Sequence, residues 1–111
     1  MTLEVSPQEV REKLEEEEDP QIVDIRPRAA FERGHIPGAI NIPMNELPMQ
    51  IDQYDWGDEI VVACPIGQSS IQAARLIKSY EGVTDEATVA SMAGGYEEWD
   101  YELSTEDEAE A

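Results

Sequence analysis

The sequence predicts one α/β domain in which a mainly parallel central sheet is flanked by helices. Apolar runs typical of strands alternate along the chain with amphipathic stretches typical of helices. The run at residues 59–63 is almost wholly apolar, as expected for a central strand that is covered on both faces. A chain of 111 residues suits one domain with one hydrophobic core.

The amino-terminal segment predicts a short edge strand followed by a well-defined helix. Residues 3–5 are the strand. The helix is expected to begin after Ser6, because Ser6 is a favourable N-cap, Pro7 suits the first helical position and Glu9 completes a capping box. We expect this helix to fade in the acidic run that precedes Pro20.

Further strands and helices alternate along the rest of the chain. In order, they are a buried strand at 21–26, a short helix at 28–33, a short strand at 39–42, a short helix within 43–53, the central strand, a helix at about 69–80, a strand at 88–92 and a helical turn through Trp99. We assign residues 1–103 to this domain. Residues 104–111 form an acidic tail without apolar anchors, which we expect to be disordered.

The charge balance excludes one class of partner. The chain has 26 acidic and 7 basic residues, a formal net charge of -19, whereas nucleic-acid phosphates are bound by basic faces. The acidic residues are spread along the whole chain. This pattern favours a halophilic source, in which salt screens the self-repulsion. An acidic protein of an ordinary cytoplasm is the alternative.

The sequence also bears on location and cofactors. It has no run of the roughly 20 apolar residues that cross a membrane, and its first residues lack the pattern of a signal peptide. We therefore expect a cytoplasmic protein without membrane contact, and a monomer. Cys64 is the only cysteine and His35 the only histidine. This composition disfavours a disulfide or a zinc site, and we expect no metal or other cofactor.

The most informative segment surrounds Cys64. This cysteine ends the predicted central strand, and a short loop containing Gly67 leads from it into a helix. Ligands of parallel sheets bind at the carboxyl ends of strands. Loop amides that point inward, together with a helix N-terminus, can lower a thiol pKa and hold an anion beside the sulfur. Since Pro65 has no N–H, the candidate donors are Ile66, Gly67, Gln68, Ser69 and Ser70.

Three segments, in the same order along residues 3–101, resemble the single-domain rhodaneses, a family of sulfurtransferases. They are Val23-Asp24-Ile25-Arg26 through Asn41-Ile42-Pro43, then Cys64 with Gly67 and Ser70 followed by Ala73-Ala74, and last Gly94-Gly95-Tyr96 with Trp99. The resemblance implies a rhodanese-like three-layer sandwich. It also implies that Cys64 is the nucleophile. Cys64 would take sulfane sulfur from thiosulfate or a protein persulfide and pass it to a thiol or cyanide, without a cofactor.

The chain departs from the family at the loop. Many rhodaneses have a basic residue just before the serine that aligns with Ser70, but this chain has Ser69, and the loop carries no charge. High activity on thiosulfate is therefore in question. Arg26 is a candidate contact for an anionic donor, and an ion pair with Glu32 is its alternative role.

Two other polar residues are expected to be structural. Asp24 is expected to fix the loop backbone or Arg26 rather than to transfer protons. The resemblance implies that His35 lies in a structural turn rather than beside Cys64. We also expect Gly94 and Gly95 to allow close backbone packing near the loop.

Other functions fit the same residues. The domain could be a carrier module that receives a persulfide from a sulfur-relay protein and has little activity on small donors. A non-catalytic module that binds a partner protein is a further alternative. A phosphatase is disfavoured, because no arginine ends the loop to clamp a phosphate.

Overall fold

A parallel sheet forms the centre of the domain in the computed structural model, which describes residues 3–16 and 20–105. Its strands within those residues are β1 (Leu3–Val5), β2 (Gln21–Asp24), β3 (Ile40–Asn41), β4 (Glu59–Ala63) and β5 (Thr88–Met92). They lie in the order β1-β5-β4-β2-β3, and every neighbouring pair is parallel. Strand β4 is therefore central, as its apolar sequence predicted.

Helices connect these strands. They are α1 (Pro7–Glu15), α2 (Arg28–Arg33), α3 (Leu47–Gln50) and α4 (Ser69–Ser79), with short 3₁₀ segments at Ile51–Gln53 and Gly95–Glu98. The predicted start of α1 is confirmed. Ser6 Oγ accepts a hydrogen bond of 3.1 Å from the amide of Glu9, and Glu9 Oε1 accepts one of 3.2 Å from the amide of Ser6. The end of the acidic run, at residues 17–19, lies outside the described residues.

Two apolar clusters cover the two faces of the sheet and make the predicted three layers. One cluster joins β2 and β4 to α3 and α4, and it includes Cys64, Ala73 and Ile77. The other joins the opposite face to α1 and α2 through Val10 and Phe31. Since Cys64 belongs to the first cluster, its thiol lies on the face that α4 covers.

The carboxyl end of the described chain returns to the domain. Ser104, which we assigned to the acidic tail, forms an antiparallel bridge with His35 through backbone hydrogen bonds of 2.8 and 2.9 Å. Residues 106–111 of the predicted tail lie outside the described residues. Of the described helices, none is both long and apolar enough to cross a membrane.

Candidate functional site

The thiol of Cys64 lies inside the loop that joins β4 to α4. Its Sγ atom accepts hydrogen bonds of 3.0 Å from the amide of Gly67 and 3.3 Å from the amide of Ser70. The Ser70 hydroxyl oxygen is 3.2 Å from the same sulfur. Cys64 is only 1% exposed. The predicted inward orientation of loop amides is thus present at Gly67 and Ser70.

These contacts change the ionisation of the thiol. Burial raises the pKa of Cys64, but hydrogen bonds from the Ser70 hydroxyl and from the amides of Ser70, Gly67 and Ile66 lower it. The net effect is a pKa below the ordinary value of a thiol. Because the thiolate is the nucleophilic form of cysteine, the loop favours the form of Cys64 that can react.

The start of α4 lacks a capping side chain. The helix begins at Ser69, as predicted, and its cap residue Gln68 makes no side-chain cap hydrogen bond. Ser70 is buried, and its hydroxyl turns toward Cys64. The amide of Ser70, a first-turn donor without a partner inside the helix, instead donates to the sulfur. The thiol therefore takes the place of a capping side chain.

Glycines set the shape of the loop. Gly67 has a φ of +87°, which side chains disfavour, and a Cβ atom there would lie 2.7 Å from the amide nitrogen of Gly94. A Cβ atom on Gly95 would lie 2.7 Å from the amide nitrogens of Ile66 and Gly67. The close packing predicted for Gly94 and Gly95 is confirmed.

Hydrogen bonds tie the same turn to the loop. The amide of Tyr96 donates to the Cys64 carbonyl at 2.9 Å, and the amide of Glu97 donates to the Pro65 carbonyl at 3.0 Å. The thiol loop is therefore fixed by two sets of hydrogen bonds. One set comes from the amides of the turn after β5, and in the other the loop amides donate to the Cys64 sulfur.

Arg26 forms a buried ion pair. Its guanidinium donates to both carboxylate oxygens of Asp24 at 2.8–3.1 Å and to the Gly34 carbonyl at 2.6 Å. The guanidinium carbon also lies 3.6 Å from the centre of the Tyr96 ring. Asp24 is fully buried, so the pair offsets its charge. A contact between Arg26 and an anionic donor stays a prediction.

Arg26 has the alternative role of a structural ion pair, but its partner is Asp24 rather than Glu32. Glu32 instead pairs with Arg28, four residues earlier on the same helix, at 3.3 Å. Asp24 Oδ1 accepts the backbone amide of Arg26 at 2.9 Å, so Asp24 fixes the backbone after β2 as predicted.

Tyr96 connects this ion pair to the thiol loop. Its hydroxyl oxygen accepts a hydrogen bond of 3.0 Å from the buried amide of Ile36. Burial and then the charge of Asp24 raise the pKa of Tyr96, so its phenol stays neutral. These contacts join segments that are distant in the chain, so the local sequence around Tyr96 does not reveal them.

His35 has structural contacts. Its Nδ1 donates to the Phe31 carbonyl at 2.8 Å, since a carbonyl oxygen can only accept, and its ring stacks on Phe31 at 3.8 Å. With its backbone also bonded to Ser104, it supports the turn after α2, as the resemblance implied.

The side chains of the remaining predicted loop residues face away from the sulfur or into solvent, although the amide of Ile66 contributes to the lowered pKa of Cys64. Ile66, Gln68 and Ser69 are exposed, whereas Gly67 and Ser70 are buried beside the sulfur. The sequence reasoning missed Ser91 on β5, whose hydroxyl oxygen is 2.6 Å from that of Ser70. The available signal was a single serine among the apolar residues of a buried strand.

Comparison with known proteins decides the family. A family model described as the rhodanese-like domain matches residues 6–102 of the chain. The protein belongs to the rhodanese-like domain family. The solved structures agree with this assignment of the fold. This rhodanese-like domain superposes on one from Staphylococcus aureus with a TM-score of 0.80, at 24% identity and with 95% and 99% of the two chains covered.

Several relatives carry functional names. This rhodanese-like domain is 38% identical over 87 residues to the thiosulfate sulfurtransferase GlpE of Shewanella oneidensis, covering 78% of this chain and 82% of that protein. It is 33% identical over 75 residues to YrkF of Bacillus subtilis, whose name describes a candidate sulfur carrier. That match covers 68% of this chain but only 40% of YrkF. The human single-domain sulfurtransferase TSTD1 superposes with a TM-score of 0.71, at 28% identity and with 89% and 96% coverage.

Proposed function

We propose that this rhodanese-like domain transfers sulfane sulfur through a persulfide on Cys64. The observation that carries the proposal is the hydrogen bonding of the Cys64 sulfur to two loop amides, at 3.0 and 3.3 Å. These bonds stabilise a thiolate, which is the form that attacks sulfur. The names of the sulfurtransferase relatives support the same reaction class.

The proposed reaction has two displacement steps. The Cys64 thiolate attacks the outer sulfur of a donor such as thiosulfate, the donor S–S bond breaks, and sulfite leaves with the electron pair. An acceptor thiolate or cyanide then attacks the outer sulfur of the persulfide. The new bond forms as the persulfide bond breaks, and Cys64 leaves as a thiolate. Sulfur moves at one oxidation level throughout, so no external oxidant is needed.

The loop has a role in both steps. We propose that the amides and hydroxyls of the predicted donors Ile66, Gly67, Gln68, Ser69 and Ser70 hold the anionic outer sulfur of the persulfide. Inward-facing amides and a helix N-terminus favour negative charge at this position. The same groups stabilise the thiolate that leaves in the second step.

Intact-mass spectrometry tests the proposal. The wild type, incubated with thiosulfate, mercaptopyruvate or a protein persulfide, should gain about 32 Da, the mass of one sulfur atom, on Cys64. Cys64→Ser is the matched control and should gain nothing, because Cys64 is the only cysteine. The absence of a gain with every donor, in folded protein, would refute sulfur transfer by this domain.

A carrier role is the second candidate, and the charges of the site favour it. The loop from Cys64 to Ser70 has no charged side chain. The charge of Arg26 is offset by Asp24 at 2.8 Å. A dianionic donor therefore has no unpaired cation on this loop, whereas a protein donor could dock through other contacts. Rapid loading from a protein persulfide together with slow loading from thiosulfate would favour the carrier, and the reverse order would favour the thiosulfate enzyme.

We also propose that the domain functions at high ionic strength in a cytoplasm. The net charge of -19 supports this, because self-repulsion weakens as the Debye length falls from about 10 Å at 0.1 M salt to about 3 Å at 1 M. The melting temperature and the rate of loading by thiosulfate should both rise with potassium chloride. Alkylation by uncharged iodoacetamide is the control and should rise less. A melting temperature that is flat or falling with salt would contradict the proposal.

A further inference from the structure

Two buried hydroxyls are linked to the thiol through short contacts. Ser70 Oγ is 3.2 Å from Cys64 Sγ and 2.6 Å from Ser91 Oγ. Ser70 and Ser91 are fully buried, and Cys64 is 1% exposed. Ser91 comes from β5, the strand beside β4, and lies 21 positions after Ser70 in the chain. The three side chains thus form a short hydrogen-bonded chain.

The ionisation state of Cys64 limits the hydrogen bonds that these three side chains can form. A neutral thiol can donate its proton to Ser70 Oγ. A thiolate can only accept, so the 3.2 Å contact remains a hydrogen bond only if the Ser70 hydroxyl donates its single proton to the sulfur. The Ser70 oxygen keeps its capacity to accept, and the atom beside it at 2.6 Å is Ser91 Oγ. The hydrogen bond between the serines is then complete only if Ser91 is its donor.

We propose that Ser91 is a positioning residue that donates to Ser70 Oγ and so directs the Ser70 proton toward the Cys64 thiolate. A hydroxyl that accepts one hydrogen bond is polarised and becomes a stronger donor in the next. Ser91 touches Ser70 rather than the sulfur, so it acts on the nucleophile through Ser70. This inference rests on the proposed nucleophilic role of Cys64, but its consequence is a change in thiol ionisation that needs no sulfur donor.

The test is the pH dependence of thiolate formation in Ser91→Ala. The ultraviolet absorbance of the thiolate, after subtraction of the Cys64→Ser spectrum, reports Cys64 alone because the chain has no other cysteine. Alkylation by iodoacetamide gives a second readout. At pH values below the midpoint of the wild type, Ser91→Ala should form about three- to tenfold less thiolate, the effect of one lost hydrogen bond. At high pH the rate should reach or exceed that of the wild type, since a more basic thiolate is a better nucleophile.

A double variant separates this role from a merely structural one. If Ser91 acts through Ser70, Ser91→Ala should have no further effect on thiolate formation in a Ser70→Ala background. Val89→Ala removes buried atoms from the same face of β5 without removing a hydroxyl. It should lower the melting temperature and leave the ionisation midpoint unchanged. Ser91→Thr keeps the hydroxyl and should keep the midpoint near that of the wild type.

Specific outcomes would overturn the inference. An unchanged ionisation midpoint of Cys64 in folded Ser91→Ala would do so. A second such outcome is that Ser91→Ala shifts this midpoint equally in the wild type and in the Ser70→Ala background. A shift of the same size in Val89→Ala would assign the effect to loosened packing. These results are independent of the sulfur-transfer test, because a domain that accepts no sulfur would still show the shift in thiol ionisation.

Discussion

Replacing Gly95 by alanine places a side-chain carbon against the back of the loop that carries Cys64. The new Cβ atom would lie 2.7 Å from the amide nitrogens of Ile66 and Gly67, closer than side-chain carbons approach backbone atoms in proteins. The amide of Gly67 is one of the two that bond to the sulfur. The substitution should therefore both destabilise the domain and displace an amide from the thiol.

The size of the effect follows from two contributions. Gly95 has a φ of +61°, and a non-glycine residue in the left-handed region costs about 1–2 kcal/mol. Overpacking of a tightly packed site adds about 1–3 kcal/mol. The free energy of unfolding should thus fall by about 2–5 kcal/mol, a large share of the roughly 5–15 kcal/mol of a typical domain.

Gly38→Ala is the matched control. Gly38 also has a positive φ, of +86°, but a Cβ atom there meets nothing within 4 Å. Gly38→Ala should therefore lower the free energy of unfolding only by the cost of a non-glycine residue at positive φ, about 1–2 kcal/mol. At about 4 °C for each kcal/mol, Gly95→Ala should melt about 4–12 °C below Gly38→Ala. Thermal unfolding followed by circular dichroism measures the difference.

Thiol reactivity completes the comparison. Below the ionisation midpoint, iodoacetamide should alkylate Cys64 more slowly in Gly95→Ala, because the thiolate loses the hydrogen bond from Gly67. In Gly38→Ala the rate should match that of the wild type. Equal melting temperatures for the two variants, together with equal alkylation rates, would refute the conclusion that Gly95 supports the thiol loop.

Three further predictions concern donor charge, alkaline stability and pH dependence. Ser69→Arg should raise kcat/KM for thiosulfate about tenfold, by adding a charge-assisted contact at the exposed start of α4. Ser69→Gln lengthens the side chain without adding a charge and should leave kcat/KM for thiosulfate unchanged. Tyr96→Phe should lower the free energy of unfolding by about 1–3 kcal/mol, since the buried Ile36 amide loses its acceptor. In denaturant titrations, the difference in free energy of unfolding between the wild type and Tyr96→Phe should narrow above about pH 10. At such pH values Tyr96 ionises in the unfolded wild type but stays neutral in the folded protein, which favours unfolding of the wild type. Loading of Cys64 by thiosulfate should be half-maximal below about pH 9, the ordinary value from which the pKa of this thiol is lowered, and a midpoint at or above it would contradict that direction.

Local sequence patterns were sufficient for the elements and for the position of Cys64 at the end of the central strand. The cap at Ser6 depends on residues three positions apart, and the buried strand β4 follows from an unbroken apolar run. The position of Cys64 at the end of that strand, before a loop with Gly67, follows from the same local patterns. Such features are determined by neighbouring residues, so they can be predicted without knowing how distant segments meet.

Only the tertiary structure decided which distant groups meet around the thiol loop. Ser91 reaches Ser70 because β5 lies beside β4, and Arg26 meets the ring of Tyr96 although 70 residues separate them in sequence. The Cys64 sulfur accepts the Ser70 amide at the start of α4, which in other helices a capping side chain would accept. The Ser70 hydroxyl is therefore not needed as a cap and contacts the sulfur instead. These contacts depend on the order of the strands in the sheet and on which hydrogen-bond donor reaches each acceptor. Neither can be read from residues that are close together in the sequence.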